Sequence, residues 1–512
     1  MKRRILALAA AVMVLGGCTP GAGLSDQQLE VASQSSSSSS AAAEPEEPPR
    51  QAANQIRLAY SAADSLNPYL AQTQINRELA PLLYDGLTHL GPDFLPENLL
   101  AEQITVEGTL CTVILKHNVQ FSDGTYVTGE DVIYSLNTAK QSQTNWATAL
   151  ENAVSASVDG EGRVLIQLGR ADADFAALLN FPVVKYGTAG EDFPTGVSKY
   201  YVSGTWENGV TLSANPLYWK EIQHVQRIYL VQSSDPDTLS FNLRTGDIDL
   251  AYSERPDNDM SGSAPVNLQV PLTDLVYLGI NGQSGLLAQP EFRQALSKAL
   301  HRDELVAKAY VTRARGTLYP FHPDFWRLAG TDQSTPRQLA QADRILDALG
   351  LEETDSRGYR LRYGQPVQLE LLVNSENASR NAAATLIAEQ LRQLGVEIEV
   401  VSQPFEQYQA SLAAHDYDLY IGEVRLLPNW DFSMLLSGGS LDFGTPYDQE
   451  LAELEANYRA TGQGIVGLCA RFQEVQPLIP LVFRTGLVSS NLTFPSEMVA
   501  TSQDIFYNIT DW

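Results

Sequence analysis

Residues 367–401 read VQLELLVNSENASRNAAATLIAEQLRQLGVEIEVV, and this stretch decides the fold class. Val367–Val373 predicts a strand. Ala382, Leu386, Ile387, Leu391 and Leu394 follow as the apolar stripe of a helix. Gly395 stops that helix in a C′-like position. Val396, Ile398 and Val400 then alternate as a second strand. The unit is βαβ, which requires parallel pairing and a right-handed crossover. Downstream, a helix around Gln407–Ala413 precedes a strand over Asp418–Ile421. Upstream, Phe292, Ala295, Leu296, Ala299, Leu300, Val306 and Tyr310 recur mostly at three- and four-residue steps, predicting one amphipathic helix between Pro290 and Val311. Nearer the N-terminus, Ile56–Tyr60 predicts a strand and Ile75–Tyr84 a helical stretch. Thr109–Lys116 reads as a half-buried strand, and Gly129 opens a helix through Ala139. The chain is α/β.

At 512 residues, two or three lobes are expected. Apolar residues at 44% and charged residues at 19% fit a folded globular protein. Lys and Arg total 34 against 61 Asp and Glu, a net charge of −27, which disfavours nucleic-acid binding because phosphate needs a basic footprint. Three cysteines exclude a disulfide scaffold, and the six histidines never fall at HExxH spacing.

Met1–Arg4 is basic and Ile5–Leu15 is apolar. That run is shorter than the ~20 residues a bilayer span needs and has the shape of a secretion signal. It leads into Leu15–Gly16–Gly17–Cys18, which resembles a bacterial lipobox. The resemblance implies cleavage after residue 17 and a diacylated Cys18, and two chains anchor firmly where one is marginal. Residues 18–53, with serines 35–40 and a Pro/Glu-rich run at 44–49, read as a flexible tether.

Ser65–Leu66–Asn67–Pro68 and Leu83–Tyr84–Asp85–Gly86–Leu87 resemble the opening of family 5 extracellular solute-binding proteins, the oligopeptide-, dipeptide- and nickel-binding receptors of ABC importers. Leu115–Gly124, Thr128–Val132, Asn215–Trp219, Gly246–Asp249 and Phe292–Leu296 continue the resemblance in order. Two motifs depart from it: Thr195–Tyr200 stands for a glycine-rich turn, and His301–Arg302 for an Asp–Arg pair. The resemblance implies a two-lobed periplasmic-binding-protein-like fold (type II, large cluster with an extra subdomain), with a hinge between the lobes. The first lobe maps to 54–270 and is completed by 480–512. Its inserted subdomain covers about 89–183, and the second lobe covers 271–479.

Solute clefts combine aromatic surface with a few fixed polar groups. The segment Ile421–Asp431 follows a strand at its C-terminal end, where open α/β sheets place their sites. In peptide-binding relatives this region carries an aspartate for the ligand amine; its place falls near Val424 here, leaving Glu423 or Asp431 to substitute. Arg425 could clamp a carboxylate. Against these roles, Glu423 and Arg425 could form a local pair and Trp430 could pack in the core. Tyr84, at a family-like turn, and Trp206, on a strand, are further candidates.

No GxSxG elbow, SxxK or P-loop context is present, so no catalytic residue, metal or cofactor is assigned. The expectation is a monomeric, lipid-anchored receptor on the extracytoplasmic face of the cell membrane, periplasmic where an outer membrane exists. It would pass a small solute, favoured as a short peptide, to an ABC permease and its ATPase. The alternatives are a solute sensor feeding a signalling partner, or a binder of a nickel chelate or oligosaccharide. A secreted hydrolase ranks last.

Overall fold

A computed structural model describes residues 50–51, 54–206, 209–220, 222, 224–233, 235–255, 260–283, 285–494 and 496–512. The expected signal, Cys18 and the tether up to residue 49 lie outside the described residues. Arg50 and Gln51 pair in parallel with Leu492 and Thr493.

Eleven of the described strands form one sheet. In chain order they are β1 (Gln55–Tyr60), β2 (Tyr200–Trp206), β3 (Gly209–Ala214), β4 (Arg227–Gln232), β5 (Leu250–Ser253) and β6 (Val266–Ile280). The remainder are β7 (Ala314–Gly316), β8 (Gln368–Asn374), β9 (Glu397–Gln403), β10 (Leu419–Arg425) and β11 (Ile479–Ser490). Their order is β9-β8-β10-β6-β11-β5-β1-β4-β3-β2, with β7 lying on β11. The βαβ unit is formed as read: β8 and β9 pair in parallel, Leu371 opposite Val400, around the helix Ala378–Arg392. Gly395 has φ +84, and a Cβ there would meet Arg360 Cγ at 2.8 Å, so both backbone and space require glycine.

Apolar faces of the sheet are buried in separate clusters, the two-lobed α/β arrangement. Ile56, Leu58, Ile228 and Leu230 share one core with Cys111, Val113, Val164 and Ile166 of a smaller four-stranded sheet. That smaller sheet is covered by the helix Gly129–Gln141, whose Thr128 and Asp131 form a capping box. Leu371, Val373, Ile387, Leu391, Leu419 and Ile421 belong to a second core. Aromatic side chains around Phe321, Trp430 and Phe472 make a third. Between these, β6 and β11 run antiparallel from Val266 opposite Ser490 to Leu278 opposite Ile479. Their register is broken between Pro271, opposite Thr485, and Leu275, opposite Phe483.

Three local expectations change. The single helix between Pro290 and Val311 is two, Pro290–Ala299 and Arg302–Lys308, because Leu300 turns extended and Arg302 becomes buried. Its guanidinium donates to the Pro480 carbonyl at 2.9 and 3.0 Å, which a continuous helix would turn away from β11. The stretch Ile75–Tyr84 divides into Gln74–Glu78 and Ala80–Leu83, the second carrying Pro81 in its first turn, where proline is tolerated. The strand read over Asp418–Ile421 starts at Leu419 and continues to Arg425, paired antiparallel with Asp274–Ile280. The first half of the candidate site segment is therefore strand.

Several residues quoted from separate motifs meet in the core. Asp85 accepts from Lys199 Nζ at 3.1 Å and from the Tyr218 hydroxyl at 2.8 Å, and Asp504 lies 3.8 Å from the same Lys199 nitrogen. Burial opposes the Lys199 charge, yet Asp85 and Asp504 hold its pKa above the ordinary value. Arg293 is buried and, among the described residues, donates to the carbonyls of Leu287, Val475 and Gln476 and to no carboxylate. Burial lowers its pKa to about 10.

Candidate functional site

Where β5, β6, β10 and β11 lie side by side, the chain carries a row of opposite charges, half-buried except for the buried Asp274. Asp274 on β6 and Arg425 on β10 are register partners, and the guanidinium Nε donates to both carboxylate oxygens at 3.1 Å. Arg425 Nη2 also donates to Glu254 Oε2, just past β5, at 2.5 Å. Two residues before Arg425, and so on the same side of β10, Glu423 accepts from Arg484 Nη1 of β11 at 2.7 Å. Arg380, in the first turn of the helix Ala378–Arg392, lies 3.5 Å from the other Glu423 oxygen. Arg484 Nη2 reaches the Glu254 backbone carbonyl, tying the end of β5 to β11. The Tyr252 hydroxyl donates to Glu254 Oε1 at 3.2 Å.

Electrostatics follow from this crowding. Burial opposes ionisation of Glu423, but Arg484 and Arg380 outweigh it and keep the carboxyl below its ordinary range. Burial raises Asp274 despite Arg425. Three carboxylates thus face three guanidinium groups. Glu78, at the end of the helix Gln74–Glu78, is a fourth acid. Its Oε1 is buried without a hydrogen-bond partner among the described residues. Burial, with Glu254 beside it, raises its carboxyl well above the ordinary range. Near the Arg380 end, the buried Tyr310 hydroxyl is likewise without a partner among the described residues.

The sequence candidates are spread over separate places. Glu423 and Arg425 share the row just described. Trp430 is fully buried among Phe94, Phe325 and Phe483, with ring centroids at 5.1, 5.2 and 5.8 Å. Asp431 belongs to a second polar cluster, 3.2 Å from Arg459 and 2.5 Å from Arg170. Tyr84 is buried in the first core, its ring against Gly196, where a Cβ would come within 2.5 Å. Trp206 ends β2, and its side chain lies outside the described part of the structure. The sequence reading missed Glu78, Glu254, Asp274, Arg380 and Arg484. Asp274 and Arg484 carried a usable signal, a charged residue in the middle of an apolar strand. Among the described residues, no group of three or more His, Cys, Asp or Glu is placed to hold a metal ion.

Two α/β lobes sharing paired central strands are the architecture of the two-lobed receptor class. Residues 96–440 match the family described as "Bacterial extracellular solute-binding proteins, family 5 Middle", and the chain belongs to that family of extracytoplasmic receptors. It is a binding protein, not an enzyme. Protein XP55 of Streptomyces lividans is 28% identical over 371 residues, covering 68% of this chain and 66% of that protein, just under two thirds of its length. The oligopeptide-binding protein AppA of Bacillus subtilis is 24% identical over 429 residues, 78% of this chain and 76% of that protein. Among solved structures, the murein tripeptide binding protein MppA in its unliganded open form superposes with a TM-score of 0.72 at 18% identity, over 86% of this chain and 94% of that one.

Proposed function

We propose that the chain is the solute receptor of an ABC importer, tethered outside the cell membrane through a lipidated Cys18, and that it delivers a short peptide to a permease. The solute-binding wall is the polar row on β5, β6, β10 and β11, reached from the first lobe by Glu78 and from the second by Arg380. The observation that carries this reading is Glu78. Three neighbouring acids are matched by Arg425, Arg484 and Arg380, and Glu78 is left over with a buried, unpartnered oxygen. A cationic group, such as a peptide α-ammonium, would let the Glu78 carboxyl give up the proton that burial holds on it, since a buried charge is tolerated only when paired. Glu423 and Arg425 stay in the wall. The cation-accepting role passes from Glu423 or Asp431 to Glu78, because arginines already occupy the other two. The similarity to AppA, an oligopeptide-binding protein, supports the same class of solute.

Native mass spectrometry tests this with an equimolar mixture of random tripeptides and the same tripeptides N-acetylated. The free-amine set should be retained in preference, and Glu78→Gln should abolish that preference. Equal retention of both sets would remove Glu78 from the site, and retention of neither would remove the peptide. For the anchor, Cys18→Ser should move the protein from the membrane to the soluble fraction; continued membrane retention would refute it.

A further inference from the structure

A second polar cluster joins the segment 170–174, which follows the strand Val164–Leu168 of the small sheet, to the helix Gln449–Thr461 and its neighbours. Arg459 Nη2 lies 3.1 Å from Asp172 and 3.2 Å from Asp431. Arg170 reaches the same Asp431 oxygen at 2.5 Å. Arg327 donates to Asp174 at 2.5 Å, and the Tyr458 hydroxyl donates to its other oxygen at 3.1 Å. Asn429 donates to Asp172 at 2.7 Å. Two backbone bonds complete the seam, Ala173 N–H to the Arg459 carbonyl at 2.8 Å and Trp326 N–H to the Asp93 carbonyl at 3.0 Å. Asp172, Asp431 and Arg459 are all buried.

Three carboxylates therefore meet three guanidinium groups, and a fourth acid, Glu455, sits in the same place. It is one helical turn before Arg459, 8% exposed, and its Oε1 is buried without a hydrogen-bond partner among the described residues. The charged groups facing it are Asp431 from the loop after β10, Arg170 and Asp172 from the segment 170–174, and Arg459 of its own helix. We propose that this seam is a latch between the small-sheet region and the helix Gln449–Thr461, and that the proton on Glu455 sets it. With Glu455 neutral the charges match. With Glu455 ionised, an unmatched negative charge is buried beside Asp431 and Asp172, and the segment 170–174 separates from the helix.

Burial, reinforced by Asp431, raises the Glu455 carboxyl from the ordinary 4.5 to about 7. The closed seam thus holds a proton that a solvated Glu455 would release. Its contribution is intact below the ordinary value and is lost as pH rises through the raised one.

The test is amide hydrogen exchange on the full chain at about pH 6 and about pH 8.5, with each rate divided by the intrinsic rate at that pH. Protection of residues 170–175 and 455–462 should fall by about tenfold at the higher pH. Protection of β8 should be unchanged. Glu455→Gln should hold the seam equally protected at both pH values. Should that variant fail to fold, Glu455→Met, also neutral, is read the same way. An equal fall in the variant, or no fall in the native chain, overturns the proposal.

Discussion

Arg425 and Asp274 face each other across one register position of β10 and β6, the guanidinium Nε within 3.1 Å of both carboxylate oxygens. With Glu254 on its other arm, Arg425 is committed inside the protein before any solute arrives.

Arg425→Ala should therefore lower folding stability by about 3 kcal/mol, the low end for a buried pair, because buried Asp274 and half-buried Glu254 lose their shared partner. Denaturant unfolding of Arg425→Ala, Asp274→Ala and the double variant would measure it. The double variant should be more stable than Arg425→Ala. Additive losses would show that the two residues are not coupled.

Glu78 predicts a pH dependence of stability. Its carboxyl is raised by burial and by Glu254, so the folded chain keeps a proton that the unfolded chain releases. Stability is intact below the ordinary glutamate range and falls as pH rises through the raised value. Glu78→Gln should melt with the native protein near pH ~4 and above it near pH ~8. Parallel melting curves at both pH values would contradict this.

Gly279 and Gly422 each lie beneath the ring of a tyrosine on the facing strand. Gly279 pairs with Tyr420 and Gly422 with Tyr277. A Cβ on Gly279 would fall 1.9 Å from the Tyr420 ring, and one on Gly422 2.5 Å from Tyr277. Gly279→Ala should cost about 3 kcal/mol or more, as overpacking of a rigid site does. Thermal and denaturant unfolding would read it, and a loss under about 1 kcal/mol would mean that the ring gives way freely.

Arg293→Met keeps the bulk but leaves the Leu287, Val475 and Gln476 carbonyls without their donor. The expected loss is about 2–4 kcal/mol from unsatisfied buried acceptors. Unchanged stability would mean that water replaces the guanidinium.

Much of the architecture was legible because apolar spacing and stop signals are local. The strand–helix–strand unit around Leu371, Ile387 and Val400 formed as read, down to Gly395. The helix through Leu300 was misread because its break serves Arg302, whose carbonyl partner Pro480 is far along the chain. The family-like motifs were legible for a related reason. Asp85, Lys199 and Tyr218 came from three motifs and meet in one core triad; they record how the fold is held. The candidate wall was harder. Glu78, Glu254, Asp274, Arg380 and Arg484 come from five elements and share no local pattern, since only the sheet order places β5, β6, β10 and β11 side by side.

The gap in pairing between Pro271 and Leu275 has a mechanical meaning. Outside this gap and a second register shift between Val276 and Tyr277, β6 and β11 form a laddered ribbon, and such a ribbon resists torsion because twisting it strains every rung. In the gap, residues 272–274 face Arg484 with rungs missing, and Asp274 of the polar row stands there. Compliance is thereby concentrated at these two points of the ribbon, the wider gap being at residues 272–274. The residue that anchors Arg425 therefore stands where the ribbon yields most easily to twist between the halves of the sheet.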